Sequence, residues 1–276
     1  MNTPSKFQVS PEGNTLSRWI RLALTLLLPS LGLLGCSTLI APPQSAESAA
    51  SYQQAMATFD AVLKKHVDAQ GRVNFVAIAQ APQALESVVR FIANESPANR
   101  PAVYDTPQKV LAYHINAYNA LAMYAVVKEG IPQALKGFTF FRFFLFNRVV
   151  VGGESMSLYS YENKIIRKLG DPRIHFALNC MSVGCPQLPQ DIFEPTKLNQ
   201  QLDAEAREFF ADPRQLVVKD NVVMVSEILK FFTEDFLAAA PSLQAYINKY
   251  APTPVPMDSK IEFIKYDWTV NRWPNT

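Results

Sequence analysis

The sequence contains few of the residues that most often carry catalytic or metal-binding chemistry. Three histidines and three cysteines occur among 276 residues, and charged residues make up only 18% of the chain. The formal net charge is +2, so the chain lacks the strong excess of one sign that proteins use to attract nucleic acid. Neither a nucleic-acid partner nor a cofactor is therefore predicted, and any chemistry must come from a small set of side chains.

The N-terminal region also lacks an apolar run long enough to span a membrane. Two arginines precede an apolar stretch over residues 22–34, and Leu-Leu-Gly stands directly before Cys36. A basic flank followed by a short apolar stretch is typical of a secretory signal. The segment "LLGC" resembles the bacterial lipobox, which implies cleavage before Cys36 and acyl chains on that residue. Ser37 resembles the outer-membrane sorting pattern, so we expect a lipid-anchored protein of the bacterial outer membrane that faces the periplasm. The alternative is a soluble secreted protein in which Cys36 lies in the cleaved region by chance.

Removal of the predicted signal, residues 1–35, leaves 23 basic and 23 acidic residues. The mature chain is then neutral, and its expected partners are the membrane, through acyl chains on Cys36, and an envelope peptide or protein. Residues 36–50, "CSTLIAPPQSAESAA", are rich in proline, serine and alanine and predict a tether. The remaining residues 51–276 are enough for one good core, so we predict one domain.

The stretch "DTPQKVLAYHINAYNALAMYAVVKEG" carries the strongest helix signals in the chain. Thr106 fits the N-cap, Pro107 the first helical position and Gly130 the residue beyond the end. Residues 111–127 contain no charged side chain. This pattern predicts a helix that is buried at the centre of the domain.

Two asparagines, Asn116 and Asn119, lie three residues apart on the helix predicted over residues 107–128. Burying an amide without partners costs roughly 1–3 kcal/mol. We therefore expect both side chains to be buried and hydrogen-bonded to fixed polar groups.

Helix and strand patterns follow one another without a regular β-α-β order. The stretches "NRVVVGGESMSL" and "QLVVKDNVVMV" predict hairpins, and "RIHFALNC" and "KIEFIKYDW" predict further strands. We therefore predict an α+β fold, with a single domain, a central buried helix and a small mixed or antiparallel sheet. The stretch "FTFFRFFLF", residues 138–146, has two interpretations. It is a hydrophobic hairpin arm packed on the core, or an exposed patch that touches the membrane or a partner protein.

One histidine lies close in sequence to two cysteines, in the stretch "RIHFALNCMSVGCPQ" at residues 173–187. If this stretch begins as a regular strand, His175 and Cys180 point to opposite faces of it. Cys185 follows Gly184, a residue that allows the chain to turn back. We therefore predict that His175 and Cys185 form a reactive pair and that Cys180 is structural.

Three other interpretations of this stretch stay open. In an oxidising periplasm Cys180 and Cys185 can form a disulfide, which in so small a ring stabilises by roughly 2 kcal/mol. A zinc site would need His175, both thiolates and a fourth ligand, and the spacing matches no familiar zinc pattern, so no metal site is predicted. His175 can also be a core histidine that bonds the backbone.

Four stretches, "HINAYNALAMYAVV", "DPRIHFALNCMSVGCPQL", "SEILKFFTEDF" and "YDWTVN", together resemble the family catalogued as domain of unknown function 547 (DUF547). The resemblance covers residues 52–271 and implies a family that occurs in bacterial lipoproteins. The chain departs from the family pattern at His114, where an aromatic residue is expected, and at Gly184, where serine is usual. Phe231-Phe232 also replaces a Trp-Tyr pair.

The resemblance implies an architecture similar to the papain and transglutaminase superfamily. There a helix supplies a cysteine, a strand supplies a histidine, and a third polar residue orients the imidazole. In this chain the helix offers Asn116 in place of the cysteine, so the thiol must come from the loop after His175. Asn116 or Asp267, the latter in "YDWTVN", is predicted to orient the His175 ring. Asn116 is equally suited to bond a loop carbonyl, and Asp267 to cap a turn.

Two classes of function stay open at this point. The first is a thiol-dependent amide hydrolase or acyl transferase of the cell envelope, with His175 and Cys185 at its centre. The second is a non-catalytic binding or envelope-assembly module on the same scaffold. A thiol–imidazole pair in an open cleft would favour the first class, and a Cys180–Cys185 disulfide would favour the second.

Overall fold

The computed structural model describes residues 38–42 and 51–274. The predicted signal, Cys36 and residues 43–50 of the predicted tether lie outside the described residues. The helices are α1 (Tyr52–His66), α2 (Phe75–Gln80), α3 (Gln83–Asn94), α4 (Pro107–Lys128), α5 (Phe138–Phe141), α6 (Leu158–Tyr161), α7 (Leu198–Ala211), α8 (Ile228–Phe231), α9 (Thr233–Ala239) and α10 (Leu243–Ile247). The strands are β1 (Val149–Val151), β2 (Glu154–Met156), β3 (Leu216–Lys219), β4 (Val222–Ser226) and β5 (Lys260–Ile264). This mixture of helices and small sheets confirms the predicted α+β class.

The helix α4 is the central element, as predicted, and it begins and ends where its capping residues indicate. The Thr106 side chain accepts a hydrogen bond from the Lys109 backbone N–H, and Pro107 occupies the first position. Gly130, just beyond the end, has a φ of 74°, which a residue without Cβ adopts at little cost. Every residue from Leu111 to Val126 is buried. The helix is therefore enclosed by the rest of the fold.

Two small sheets lie beside the helices. Strands β1 and β2 form an antiparallel hairpin, and β3–β4–β5 form a second sheet in which β3 and β4 are antiparallel and β4 and β5 are parallel. The turns of the two hairpins are formed by Gly152-Gly153 and Asp220-Asn221, all four with positive φ, which is the geometry that suits a two-residue hairpin turn. Both hairpins were predicted from these turn residues and are confirmed.

The stretch "RIHFALNC" is not a strand, and that prediction is wrong. Pro172–Phe176 form a short 3-10 helix, and Asp171 caps it by accepting a hydrogen bond from the Arg173 backbone N–H. The backbone after it is irregular up to Cys180. An apolar run of this length does not by itself distinguish a buried strand from other buried backbone. Side-chain alternation along a strand therefore does not apply to His175 and Cys180.

The phenylalanine-rich segment, residues 138–146, is helical instead of forming a hairpin arm. Helix α5 continues into a π-helical turn at Arg142–Phe146. Phe143 and Phe144 are buried, whereas Phe138 and Phe146 are 70% and 42% exposed. The segment is thus anchored on one side and open to solvent on the other.

Two hydrophobic clusters form the interior. The first surrounds α4 and the other helices of the N-terminal half, and the second lies between α7, α8, α9 and the three-stranded sheet. Cys180 and Trp268 pack against both clusters. The stretch that carries His175 and the cysteines therefore lies at the seam between them. No helix among the described residues is both long enough and apolar enough to cross a bilayer.

Candidate functional site

Asn119 of α4 holds the backbone between His175 and Cys180. Its Nδ2 donates to the Ala177 carbonyl oxygen at 3.0 Å, and its Oδ1 accepts from the Asn179 backbone N–H at 2.8 Å. The side chain is buried, so these bonds satisfy polar groups that water cannot reach. The buried helix thereby fixes where the cysteine loop begins.

Asn179 closes the loop that contains both cysteines. Its Nδ2 donates to the Pro186 carbonyl oxygen at 2.7 Å, and its Oδ1 accepts from the Met181 backbone N–H at 2.7 Å. Met181 has a φ of 69°, a left-handed conformation that a residue with a side chain adopts only when its surroundings impose it. The chain therefore turns back at Met181, and Gly184, which was expected to allow the turn, does not have a positive φ.

The C-terminal segment supports the same loop from the other side. The Gly184 backbone N–H donates to the Asp267 carbonyl oxygen at 2.8 Å, and Ser182 pairs with Val270 in an isolated bridge. A Cβ on Gly184 would lie 2.9 Å from the Asp267 backbone nitrogen and from the Tyr266 ring. Glycine is needed here because the two chain segments approach closely. The approach brings the Tyr266 hydroxyl to the cysteines.

The two cysteines are free thiols whose sulfur atoms are 2.9 Å apart. The Cys185 sulfur also accepts from the Cys180 backbone N–H at 3.0 Å and contacts the Tyr266 hydroxyl at 3.1 Å. The Ser182 hydroxyl lies 3.0 Å from the Cys180 sulfur and 2.9 Å from the Tyr266 hydroxyl. Hydrogen-bond donors thus converge on the Cys185 sulfur.

These donors determine which sulfur carries the negative charge. Burial alone would raise the pKa of Cys185, but hydrogen bonds from Cys180, Tyr266 and Ser182 outweigh it and lower that pKa to about 6. Burial raises the pKa of Cys180, and the hydrogen bond to Cys185 adds to the shift. The opposite directions of the two shifts favour the negative charge on Cys185, with the Cys180 thiol as a hydrogen-bond donor to it, and the thiolate is the nucleophilic form of cysteine.

His175 is held by an aspartate that the sequence analysis did not identify. Its Nε2 lies 2.8 Å from Oδ2 of Asp235, and its ring stacks on Phe232 with the ring centroids 3.8 Å apart. Arg167 donates from Nε and Nη2 to the two Asp235 oxygens, each at 2.7 Å. Burial opposes the ionisation of Asp235, but hydrogen bonds from His175 and Arg167 outweigh it and lower the Asp235 pKa.

The environment of His175 favours the neutral imidazole. Burial lowers the His175 pKa, although Asp235 opposes this effect. Because Nε2 faces a carboxylate, the neutral ring carries its proton on Nε2, and Nδ1 keeps its lone pair. Within the described part of the chain, Nδ1 makes no hydrogen bond, and neither ring nitrogen bonds to either cysteine sulfur. His175 is thus oriented as a potential base but does not itself activate Cys185.

A cavity connects these groups. Its wall includes His175, Cys180, Cys185 and Glu162. The aromatic residues that line it are Tyr118, Phe140, Phe144, Tyr159, Phe231, Phe232, Tyr266 and Trp268. A polar centre inside a largely apolar wall is the usual composition of a small-molecule site.

Glu162 is the one carboxyl group in the described wall of this cavity. It lies at the first position of the π-helical turn Glu162–Ile166, and its Oε2 is 3.1 Å from the Tyr118 hydroxyl. Burial raises the Glu162 pKa to about 7, although hydrogen bonding from Tyr118 and the charge of Arg167 oppose the shift. A large fraction of Glu162 is therefore protonated near neutral pH, which makes it a potential proton donor.

Three of the five residues predicted for the site come together in the structure, namely His175, Cys180 and Cys185, which line one cavity. The separation of Cys180 from His175 by strand alternation is wrong, because the stretch is not a strand and both residues line this cavity. The predicted roles of Asn116 and Asp267 as orienting groups are also wrong.

Asn116 is occupied elsewhere: its Nδ2 donates to the Phe193 carbonyl oxygen at 2.8 Å, and its Oδ1 accepts from the Phe193 backbone N–H at 2.9 Å. This pairing and that of Asn119 confirm that both asparagines are buried and bonded to fixed polar groups. Asp267 is exposed, and its Oδ1 accepts from the Thr269 backbone N–H at 2.9 Å, which is the turn-capping alternative.

Four residues of the site are not predicted by any sequence pattern: Asp235, Arg167, Tyr266 and Glu162. Two of them lie in stretches already singled out, Asp235 in "SEILKFFTEDF" and Tyr266 at the start of "YDWTVN". Their sequence separation from His175 and Cys185 gives no indication of contact. The only sequence signal that could have indicated these site residues is the presence of polar side chains in those two stretches.

Comparison with known proteins gives a match of part of the chain to one family, and it gives no activity. Residues 104–210 match the family described as "Protein of unknown function, DUF547". The match contains α4, His175, both cysteines of the site and all of α7 except its last residue, Ala211, whereas Asp235 and Tyr266 lie beyond it. No curated protein and no solved structure is detectably similar to the chain.

Proposed function

We propose that this chain, whose match to the DUF547 family supports the sequence resemblance, is a lipid-anchored envelope protein with a thiol-dependent acyl-transfer site. Cys185 is the nucleophile, His175 the base, and Asp235 the positioning residue for the imidazole. The reaction is amide hydrolysis or acyl transfer. The observation that carries the proposal is the set of donors at the Cys185 sulfur, which lower its pKa to about 6 beside an apolar cavity.

The first half of the proposed reaction forms a thioester. The Cys185 thiolate attacks the carbonyl carbon of an acyl donor, so that a sulfur–carbon bond forms while the bond from carbon to the leaving group breaks. The leaving group takes a proton from the Glu162 carboxyl group. The aromatic wall favours an apolar acyl group, because burying apolar surface stabilises the bound donor.

The second half releases the acyl group. Nδ1 of His175 takes a proton from water, in hydrolysis, or from an amine, in transfer, while the oxygen or nitrogen attacks the thioester carbon. The sulfur–carbon bond breaks, and the Cys185 thiolate is restored. Transfer of the proton from His175 to Glu162, through solvent in the cavity, returns both groups to their starting states. Asp235 stabilises the imidazolium during this step, as the third group of a catalytic triad does.

The location of the proposed site rests on the N-terminal sequence. Cys36 follows Leu-Leu-Gly and a short apolar stretch, which supports acylation of Cys36 and attachment to the outer membrane. The domain would then face the periplasm. Substrates in reach are amide- or ester-linked groups of the envelope.

A second candidate is a non-catalytic binding or envelope-assembly module. The contact between the Cys180 and Cys185 sulfurs favours it, because oxidation in the periplasm would join them and remove the nucleophile. The aromatic cavity would then bind an apolar group without transforming it. The two candidates differ in whether Cys185 is free in the native protein.

Incubation with p-nitrophenyl esters of increasing acyl length, followed by intact-mass and peptide analysis, tests the catalytic proposal. The wild type should release p-nitrophenol with turnover, His175→Ala should retain one acyl group on Cys185, and Cys185→Ser should retain none. An acyl group on another residue, or no acylation of a folded protein, would contradict the proposal. Ligand binding without acylation would support the binding module.

A further inference from the structure

The exposed side of the phenylalanine-rich segment forms an apolar patch with the first described residues of the chain. Leu39, Phe138 and Phe146 are 56%, 70% and 42% exposed. The ring centroids of Phe138 and Phe146 are 6.4 Å apart. Leu39 pairs with Arg148, two residues beyond Phe146, in an isolated parallel bridge. We call Leu39, Phe138 and Phe146 the apolar patch.

The chain segment next to Cys36 is fixed beside this patch. The Arg148 backbone N–H donates to the Thr38 carbonyl oxygen at 2.9 Å, and the Ile40 backbone N–H donates to the Arg148 carbonyl oxygen at 2.7 Å. Ile40 is buried, so its side chain holds the segment on the domain. Cys36 is two residues before Thr38, and its distance from the patch is therefore limited to a few residues of chain, about 3.5 Å each.

Buried neighbours in the same helical segment fix the backbone that carries Phe138 and Phe146. Phe143 and Phe144 are buried, and the Phe140 ring packs on Trp268 with the centroids 5.1 Å apart. A rigid backbone therefore presents Phe138 and Phe146 outwards, so that little conformational entropy is lost when they are covered.

The chain segment that carries Phe138 and Phe146 has an excess of basic residues. Residues 128–148 contain four basic side chains and one acidic one, Glu129, and Glu129 forms an ion pair with Arg142. Lys136 is exposed and stands two residues before Phe138. Basic side chains beside exposed aromatic rings match the anionic headgroups and the apolar interior of a bilayer surface.

We infer that the apolar patch docks on the bilayer to which the chain is anchored, with Phe138 and Phe146 inserted among the lipids. This inference rests on the proposed acylation of Cys36, because the acyl chains would enter the bilayer beside the patch. Together they provide two attachments, which hold a protein on a membrane more firmly than one. The domain would then have one fixed orientation relative to the membrane.

The phenylalanine-rich segment also connects the apolar patch to the cavity. Phe140 and Phe144 line the cavity, while Phe138 and Phe146 lie in the patch. Docking would therefore place the thiol cavity within one short helical segment of the lipid surface.

Quenching by brominated lipids tests the docking directly. The full chain, expressed with its own signal, is purified and reconstituted in vesicles of phosphatidylethanolamine and phosphatidylglycerol that contain a brominated phospholipid. Phe138→Trp places the fluorophore in the patch. Val218→Trp is the matched control, because Val218 is 45% exposed on β3 of the second sheet. Emission of the wild-type tryptophans is subtracted.

We expect the F138W emission to shift to shorter wavelength and to lose most of its intensity in brominated vesicles, while the V218W emission changes little. Equal quenching of the two variants would overturn the inference. It would also be overturned if F138W were shielded from aqueous acrylamide without being quenched by bromine, since a protein would then cover the patch. Acyl labelling of Cys36 in the same preparation separates failure of the anchor from failure of the patch.

Discussion

At the scale of single residues, the lowered pKa of Cys185 depends on hydrogen-bond donors and not on His175, although both residues line the same cavity. Its sulfur is bonded by the Cys180 backbone and thiol and by the Tyr266 hydroxyl. His175 instead bonds Asp235. The proposed nucleophile and the proposed base therefore have separate hydrogen-bond partners, and a substrate in the cavity would be the link between them.

Asp235→Asn tests the positioning of His175. The change leaves the buried His175 and Arg167 donors without their carboxylate, so we expect a loss of about 2 kcal/mol in the free energy of unfolding at pH 7. Asp235 has a lowered pKa in the folded state, so its contribution is present above the ordinary aspartate value of 3.8 and is lost as the pH falls below it. Urea unfolding at two pH values measures this.

The control for that variant is Asp203→Asn, which removes a more exposed partner of Arg173, at 35% side-chain exposure. It should cost less than about 1 kcal/mol. If D235N were no more destabilising than D203N at pH 7, or if its deficit stayed constant down to pH 3, the assigned role of Asp235 would be wrong.

Glu162→Gln tests the half-buried carboxyl group in the cavity wall. Burial raises the Glu162 pKa to about 7 from an ordinary value of 4.5, so the wild type loses stability as the pH rises from 4.5 to 7 and the loss is complete above 7. Glutamine does not ionise, so the variant should unfold at a higher temperature than the wild type at pH 8 and not at pH 4. Calorimetry at both values measures the difference.

Glu86→Gln serves as the comparison, since Glu86 also accepts from a tyrosine hydroxyl, that of Tyr124 at 3.2 Å, away from the cavity. A pH-independent effect of E162Q, or the same gain in E86Q, would argue against a Glu162 that is largely protonated near neutral pH.

At the scale of the elements, capping and turn residues predict the helix ends and hairpins that short-range interactions determine. The bounds of α4 follow from Thr106, Pro107 and Gly130, and the two hairpins from their turn residues. The prediction of a strand after Pro172 is wrong because Asn119 fixes the backbone there. Asn119 bonds the Ala177 carbonyl oxygen, 58 residues away in the sequence. Such long-range contacts leave no periodic pattern in the sequence.

In the candidate site, too, residues that are close in sequence were predictable and residues that meet through long-range contacts were not. His175, Cys180 and Cys185 were found because they are neighbours in one stretch. Asp235 was missed because it reaches His175 across 60 residues, and Tyr266 reaches Cys185 across 81. Asp267 was chosen instead, one residue after the tyrosine that makes the contact, and its own side chain is exposed.

The two asparagines of α4 provide a matched pair of variants. Asn119→Ala and Asn116→Ala each leave a backbone N–H and a carbonyl group buried without a partner, at a cost of about 1–3 kcal/mol. Only Asn119 holds the cysteine loop, so only N119A should also slow alkylation of Cys185 at pH 7. Unfolding and alkylation measured on both proteins give the comparison. Equal alkylation rates in N119A and N116A would show that the two Asn119 hydrogen bonds to the cysteine loop do not determine the environment of the Cys185 thiol.

At the scale of the whole molecule, the site lies where two hydrophobic clusters meet, with Cys180 packed against both. The region matched by the family, residues 104–210, supplies the proposed nucleophile, Cys185, and the proposed base, His175. The segment beyond it supplies Asp235 and Tyr266. A truncated chain that ends near residue 210 would therefore lack both Asp235 and Tyr266.

The proposed attachment of the molecule to the membrane is tested by Cys36→Ser. Because acylation requires the cysteine sulfur, the variant should incorporate no labelled palmitate and should leave the membrane fraction, or accumulate with its signal uncleaved. The wild type, labelled in parallel, should carry the label in the outer membrane. Label retained in C36S would show that the anchor is elsewhere.

The proposed function depends on the claim that Cys185 is a free thiolate in the native protein, and the pH dependence of its alkylation rate measures this property. The membrane-extracted protein is treated with iodoacetamide without reductant, and the modified cysteine is identified by peptide mapping. Cys185 should react with a midpoint near pH 6, and Tyr266→Phe, which removes one donor from the sulfur, should raise that midpoint. If neither Cys180 nor Cys185 reacts until reductant is added, or if the midpoint lies at the ordinary value of 9.0, the claim is contradicted.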